Sequence, residues 1–441
     1  MADGHFQPTG FFHVGRHRNV FWLVDPDGGR FISKGINTVR FDQDQIRDSD
    51  RVPYAEACRR KYGNENGWRA AAARRLLSWG FNTLGSWSDE AVAATGSMPL
   101  ATTPNLDLGM SFARLKNDQN QGGPQQHFPD VFDPEFDLHI RHRAHDLCAN
   151  RRSDQSLVGW FIDNELRWGP DWRGPDDLLT LFLNLTPASP GRAQAINFLR
   201  GRHGIFEDFN SSWRSPAQSW DELIALPRFE PPYRRKPPYE RDPGSEDAAN
   251  RADLRRSAFT ADCDDFAALV AERYFASTTT AIKAADANHL VLGCRFAYPP
   301  PPFIIDAAGR HADVISFNCY ESDPSTAIDT YAITGKPCLI GEFSFRAADS
   351  GLPNTNGAGP RVATQAERAI CFGHYVTSAL QKRTLIGYHW FEHADQPAEG
   401  RFDGENSNFG TVTIEDRVYE ELTNTMTSIN AEAEDLHVTA A

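Results

Sequence analysis

Eight short apolar runs recur along this chain, and they are apolar on both sides of the pleat. They are 31–38 (FISKGINT), 81–87 (FNTLGSW), a weaker 105–109, 157–162 (LVGWFI), 290–296 (LVLGCRF), 314–320 (VISFNCY), 337–343 (PCLIGEF) and 385–390 (LIGYHW). Strands buried on both faces belong to parallel sheets covered by helices. Helical patterns fall between the runs. One spans 67–79 and is stopped by Gly80; another spans 139–148. A third precedes the fifth run and keeps Phe259, Phe266, Val270, Tyr274 and Ile282 on one face. This alternation predicts an α/β fold, a (β/α)₈ TIM barrel formed as a single domain over 1–441. The stretch between the fourth and fifth runs is too long for one crossover, so about 170–255 is read as an insertion. It holds a helical segment at 192–199 and a Pro/Arg-rich loop at 228–243 (RFEPPYRRKPPYERDP). Loops that follow barrel strands gather on one face, so the insertion is predicted to shape a cleft there. The acidic, Ala-rich tail at about 429–441 is predicted to fray.

Composition narrows the functional classes. The net charge is −14, which argues against a nucleic-acid partner because no basic face could track phosphates. No run approaches the roughly 20 apolar residues of a membrane helix. The first 18 residues lack the apolar core of a secretion signal, which points to a cytoplasmic protein. The seven cysteines (Cys58, Cys148, Cys263, Cys294, Cys319, Cys338 and Cys371) are scattered and form no CxxC pair. They read as small buried hydrophobes in a reduced protein, with no zinc framework. The 10 Trp, 11 Tyr and 29 Phe suit a sugar site, where rings lie on pyranose faces, though large cores use aromatics as well.

Two of the apolar runs end in carboxylates. The fourth passes straight into Asp163-Asn164-Glu165, and the seventh ends Gly341-Glu342-Phe343. Burying a carboxylate is costly without a partner or a task. On the fourth and seventh strands of a barrel, Glu165 and Glu342 can face each other across the axis. Retaining glycosidases use such a pair. One carboxylic acid protonates the departing glycosidic oxygen, and the other attacks the anomeric carbon. The acid needs a raised pKa, which burial and a neighbouring carboxylate supply. Other polar and aromatic residues fall at strand ends beside them. Asn164 is placed to bond a sugar 2-hydroxyl. Asn318 and Tyr320 end the sixth strand, with the Tyr320 hydroxyl in reach of Glu342. Arg295 ends the fifth strand and is placed to donate to Glu342 or to substrate. His389 and Trp390 end the eighth, with Trp390 a candidate platform under the sugar ring; Trp87 on the second strand is another. A metal site from His389, His393, Glu392 and Asp395 is conceivable, but no ligand spacing of a known kind emerges, so neither metal nor cofactor is expected.

Several stretches together resemble glycoside hydrolase family 50, the β-agarases, within the clan of (β/α)₈ retaining glycosidases. They are FWLVDPDGGRFISKGIN, GWFIDNELRWG, FNSSWRSPAQSWDEL, GCRFAYPP, DVISFNCYE, GKPCLIGEFSF and GYHWFEHADQPAEGRFDGENSNFG. The resemblance implies a retaining mechanism with Glu165 as general acid/base and Glu342 as nucleophile. It also implies an oligosaccharide or polysaccharide substrate with β-linked galactose. Other readings are a β-glycosidase of different specificity (glucoside or galactofuranoside) and a non-catalytic carbohydrate-binding barrel.

Overall fold

The computed structural model describes residues 5–95, 99–119, 128–242 and 244–440. Residues 1–4 of the N-terminal segment, Pro243 of the Pro/Arg-rich loop and Ala441 of the tail lie outside the described residues. The chain begins with an antiparallel ribbon of β1 (His13–His17), β2 (Val20–Val24) and β3 (Arg30–Phe31). Four short strands follow: β4 (Ser33–Ile36), β5 (Thr83–Leu84), β6 (Ala101–Thr102) and β7 (Gly159–Trp160). Then come β8 (Leu290–Val291), β9 (Ile315–Asn318) and β10 (Cys338–Phe343). A small pair, β11 (Arg346–Ala347) and β12 (Arg361–Val362), precedes β13 (Leu385–Trp390).

Six strands form one parallel sheet in the order β6-β5-β4-β13-β10-β9, and β7 pairs in parallel with β8. Isolated parallel bridges Thr102–Leu157 and Asn105–Phe161 lie between the β6 and β7 segments, and Phe296–Phe317 lies between the β8 and β9 segments. Every residue of β4, β9, β10 and β13 is buried, as strands covered on both faces must be.

Helices cover the strands. Glu65–Ser78 starts at Asn64, whose side chain accepts from Gly67 N. Pro134–Cys148 is capped by Asp133 and carries Pro at its first turn. The 32-residue helix Leu254–Ala285 buries Phe259, Phe266, Val270, Tyr274 and Ile282 along one stripe. The expected insertion is folded. Helices Leu178–Leu183, Pro190–His203, Phe206–Trp213 and Trp220–Ala225 bury Phe182, Leu199, Phe209 and Trp213 into the same core as the helices that cover the parallel strands. All seven cysteines are unpaired thiols. Among the described residues, no helix is long and apolar enough to cross a membrane.

Two expectations are corrected. The third strand lies earlier than 105–109: β6 ends at Thr102, Asn105 makes only an isolated bridge, and a helix starts at Leu108. The buried Asp163 carboxylate accepts from Gly109 N at 2.7 Å and Met110 N at 2.8 Å, satisfying orphan donors of that helix and drawing it back to the strand end. The tail is not frayed over 429–438. It completes the helix Glu420–Val438, which buries Leu422, Met426, Asn430, Ala433 and His437 at helical spacing. Polar members of that stripe find buried partners. Asn430 receives Tyr388 Oη at 2.7 Å and donates to Trp79 O at 2.9 Å. The two His437 ring nitrogens lie 2.9 Å from Leu380 O and 2.8 Å from Phe21 O.

Candidate active site

The C-terminal ends of the parallel strands open into a cleft of about 1570 Å³. Glu165, Glu342, Asn164, Asn318, Tyr320 and Trp87 all line it. The backbone at the ends of the short strands is unusual. Thr38, Trp87, Asp107, Glu165 and Arg295 all have positive φ, between 50° and 60°, without being glycine. Each such residue costs roughly 1–3 kcal/mol, a strain that persists where surrounding contacts over-determine the backbone. For Glu165 the contacts are its N–H on Arg295 O at 3.1 Å and its own carbonyl accepting from Arg173 Nη1 at 2.6 Å.

Arg295 is fully buried and ties the site together. Its Nε donates to Asn164 Oδ1 at 2.8 Å, its Nη1 to Ser86 Oγ at 2.6 Å, and its Nη2 to Glu342 Oε1 at 2.6 Å. The Trp87 and Phe161 rings flank its guanidinium, each with a centroid 4.9 Å away. Tyr320 donates to the other Glu342 oxygen, Oε2, at 2.7 Å. Glu342 therefore accepts one charge-assisted and one phenolic hydrogen bond, one on each oxygen. Asn318 sits beside Glu342 in the β9–β10 register and donates to Glu165 Oε1 at 2.8 Å and Asn164 Oδ1 at 3.2 Å. Gly341 is needed at this approach, since a Cβ there would lie 2.9 Å from Asn318 Oδ1 and 3.2 Å from the Arg295 guanidinium carbon.

The two carboxyl groups have different environments. Burial pushes the Glu165 carboxyl up to about 7, the negative charge of Glu342 adds to this, and the Asn318 donor with Arg173 and Arg295 opposes it. The Tyr320 phenol is held well above its ordinary range by burial and by Glu342. Asp163 belongs to the scaffold. Burial and Asp107 push it up to about 7 against the donors Tyr274 Oη, Met110 N and Gly109 N.

Trp390, a predicted platform, and His389, a predicted substrate-binding residue, are not brought to the cleft. Trp390 is fully buried, donates Nε1 to Phe409 O at 2.9 Å and packs edge-on to Phe343. His389 is also fully buried and points the other way along the pleat. Its Nε2 lies 2.8 Å from Ser33 Oγ, and its ring occupies the space that a Cβ on Gly35 would need. Alternation on β13 sends successive side chains to opposite faces, and both faces of this strand are closed. Burial and the Arg295 charge push His389 down to about 3. The conceivable metal ligands are dispersed. His393 packs edge-on to Tyr54 and Trp68, Glu392 accepts from Gln396, and Asp395 accepts from Asn408, Tyr419 and Gly410. Among the described residues, no three or more His, Cys, Asp or Glu are grouped to hold a metal ion.

The cleft also holds residues the sequence reading passed over. Trp172, Tyr239 and Tyr298 form part of its wall, and Arg401, Phe402 and Glu405 another part. Pro238 and Tyr239 bring the Pro/Arg-rich loop to the cleft. Their signals were weak: Trp172 stands in a loop and Tyr239 in the single 3₁₀ turn Pro238–Glu240, too short to show a period.

No family model matches the chain. β-Agarase A of Vibrio sp. (strain JT0107) is 31% identical over 92% of this chain and 44% of its own length. β-Agarase B of the same strain is 27% identical over 95% of this chain and 48% of its own length. The chain thus spans about half the length of the curated relatives it matches. Among solved structures, an exo-β-agarase superposes with a TM-score of 0.76 at 22% identity, covering 99% of this chain and 67% of that one. A further solved agarase superposes with a TM-score of 0.76 at 23% identity, covering 99% of this chain and 66% of that one. Over nearly its whole length the chain is thus similar in sequence to curated β-agarases and in fold to solved agarases.

Proposed function

We propose that this chain is a retaining glycoside hydrolase on a (β/α)₈ barrel that cleaves β-linked galactose-containing glycans of the agar type. The observation that carries the reading is one cleft holding Glu165 and Glu342 at the ends of β7 and β10, joined through Asn318 and Arg295. The barrel reading is supported by the isolated bridges on both sides of the β7–β8 pair, which lie where ring closure needs strand contacts. The substrate class is supported by the two curated β-agarases to which the chain is similar.

In this mechanism Glu165 is the acid. A carboxyl pushed up to about 7 carries its proton at mildly acidic to neutral pH and gives it to the leaving oxygen. Glu342 attacks the anomeric carbon, oriented by Arg295 and Tyr320, and forms the glycosyl-enzyme. Glu165, now ionised, takes a proton from water, whose oxygen displaces Glu342. Asn164, held by Arg295 and Asn318, lines the same cleft and offers its remaining polar group to the substrate.

The deciding experiment follows the anomeric proton of the first product by NMR during hydrolysis of agar oligosaccharides. Net retention is expected, and an inverted first product overturns the double displacement. A Glu342→Gln protein separates the enzyme from a binding barrel: it keeps sugar binding and loses turnover. Turnover that survives this change shows that Glu342 is not the nucleophile.

A further inference from the structure

Trp172 is 54% exposed, Tyr239 45% and Tyr298 36%, yet all three gather in the cleft wall. Tyr298 connects them, with its ring centroid 5.8 Å from Trp172 and 5.0 Å from Tyr239. They come from three separate places: the loop after Glu165, the Pro/Arg-rich segment, and the loop after β8. The Arg173 guanidinium lies 4.3 Å from the centre of the Trp172 ring. Arg173 is itself anchored, by Asp171 Oδ2 at 2.6 Å and by the Glu165 carbonyl at 2.6 Å. The indole is thus braced by a fixed cation while half of its surface stays in the cleft. Large aromatic area left open in this way, beside a reaction centre, is apolar surface awaiting a ligand.

We infer that Trp172, Tyr298 and Tyr239 form a sugar-binding shelf on the leaving-group side of the cleavage point. The inference rests on the proposed glycosidase reading and extends it. The side follows from the bracing: the shelf is tied through Arg173 to the backbone carbonyl of Glu165, the residue that protonates the departing oxygen, and the charge of Glu165 acts on the Tyr298 phenol. The occupant is the first or second sugar of the departing chain. Pyranose rings carry an apolar C–H face that covers an aromatic ring, while their hydroxyls reach the phenols of Tyr298 and Tyr239. The Pro/Arg-rich insertion then has a task in specificity, because it supplies Tyr239.

The test compares two kinds of substrate with one glycone. One is a ladder of agar oligosaccharides lengthened on the leaving side; the other is the glycosyl fluoride of the same glycone, which places no sugar on the shelf. Trp172→Ala should lose about tenfold or more in kcat/KM on the longer oligosaccharides, the loss expected when an indole no longer covers a sugar face. Its turnover of the fluoride should stay within about twofold of the parent protein, which also reports an intact fold and reaction centre. Trp172→Phe should recover part of the loss, and Tyr239→Ala should show a smaller loss of the same kind. Equal losses on the fluoride and on every oligosaccharide, or no loss on any of them, overturn the shelf. Failure of the parent protein on both substrates is a different result and counts against the glycosidase reading itself.

Discussion

The two halves of the parallel strand set hold their carboxylates in different ways. Glu342 lies inside β10, a six-residue strand between β9 and β13, with both oxygens bonded and 5% of its surface exposed. Glu165 follows β7, a two-residue strand, on a backbone turned to φ 53° and only partly covered. The short strands β5, β6, β7 and β8 are all followed by such left-handed residues: Trp87, Asp107, Glu165 and Arg295. Under the proposed mechanism, regular sheet would hold the nucleophile in one place, and a kinked strand end would lift the acid's carboxyl into the cleft. The contrast itself is structural: one fold holds two carboxyl groups in different surroundings by varying how its strands end.

The largest effect should come from the regular half. Glu342→Gln is expected to lower kcat by about 10³-fold or more, since it removes the proposed nucleophile outright; steady-state assays on agar oligosaccharides measure it. Glu165→Gln should cost about 10²–10⁴-fold on oligosaccharides. It should cost much less on glycosyl fluorides, whose leaving group needs no proton, and equal losses on both would erase the contrast between the halves. Tyr320→Phe deletes one hydrogen bond to Glu342 and should lower kcat/KM by roughly 10–100-fold with the fold unchanged.

Next comes the backing of the regular half. Asn430 accepts from Tyr388 of β13, and its carbonyl accepts from Lys34 of β4 at 3.1 Å. Asn430→Ala strands the Tyr388 hydroxyl and Trp79 O, and should cost about 1–3 kcal/mol in denaturant unfolding. No change in unfolding would mean that the C-terminal helix does not support these strands. The smallest shift to measure is in pH. Glu165 is raised, so it is protonated below about 7, and kcat/KM should fall as pH rises through that value. The Glu342 charge contributes to the raise, so Glu342→Gln should move the Glu165 titration to lower pH, read by NMR of the carboxyl carbon. A titration that stays in place would show that the halves do not share a field.

Much of the scaffold was legible residue by residue. Runs such as 337–343 and 385–390 announced fully buried strands, because a strand covered on both faces has no polar side to hide. The stripe from Phe259 to Ile282 announced its helix by the same logic of period. Asn105 to Gly109 misled because Asp163, distant in sequence, draws a helix start into that stretch. The tail misled because its acidic, Ala-rich composition conceals a helical stripe whose partners lie some 40 to 420 residues earlier.

Local pattern alone determined that apolar runs lead into Glu165 and Glu342, and that a long stretch separates the fourth run from the fifth. Period and composition act over a few residues, and they suffice for that. Tertiary structure decided the rest. It buried His389 and Trp390 behind closed faces, and it carried Arg295 to Asn164 across 131 residues and to Glu342 across 47. It also set Trp172, Tyr239 and Tyr298 into one wall. Those neighbours come from how strands align and loops fold over them, and such long-range contacts leave no period along the chain.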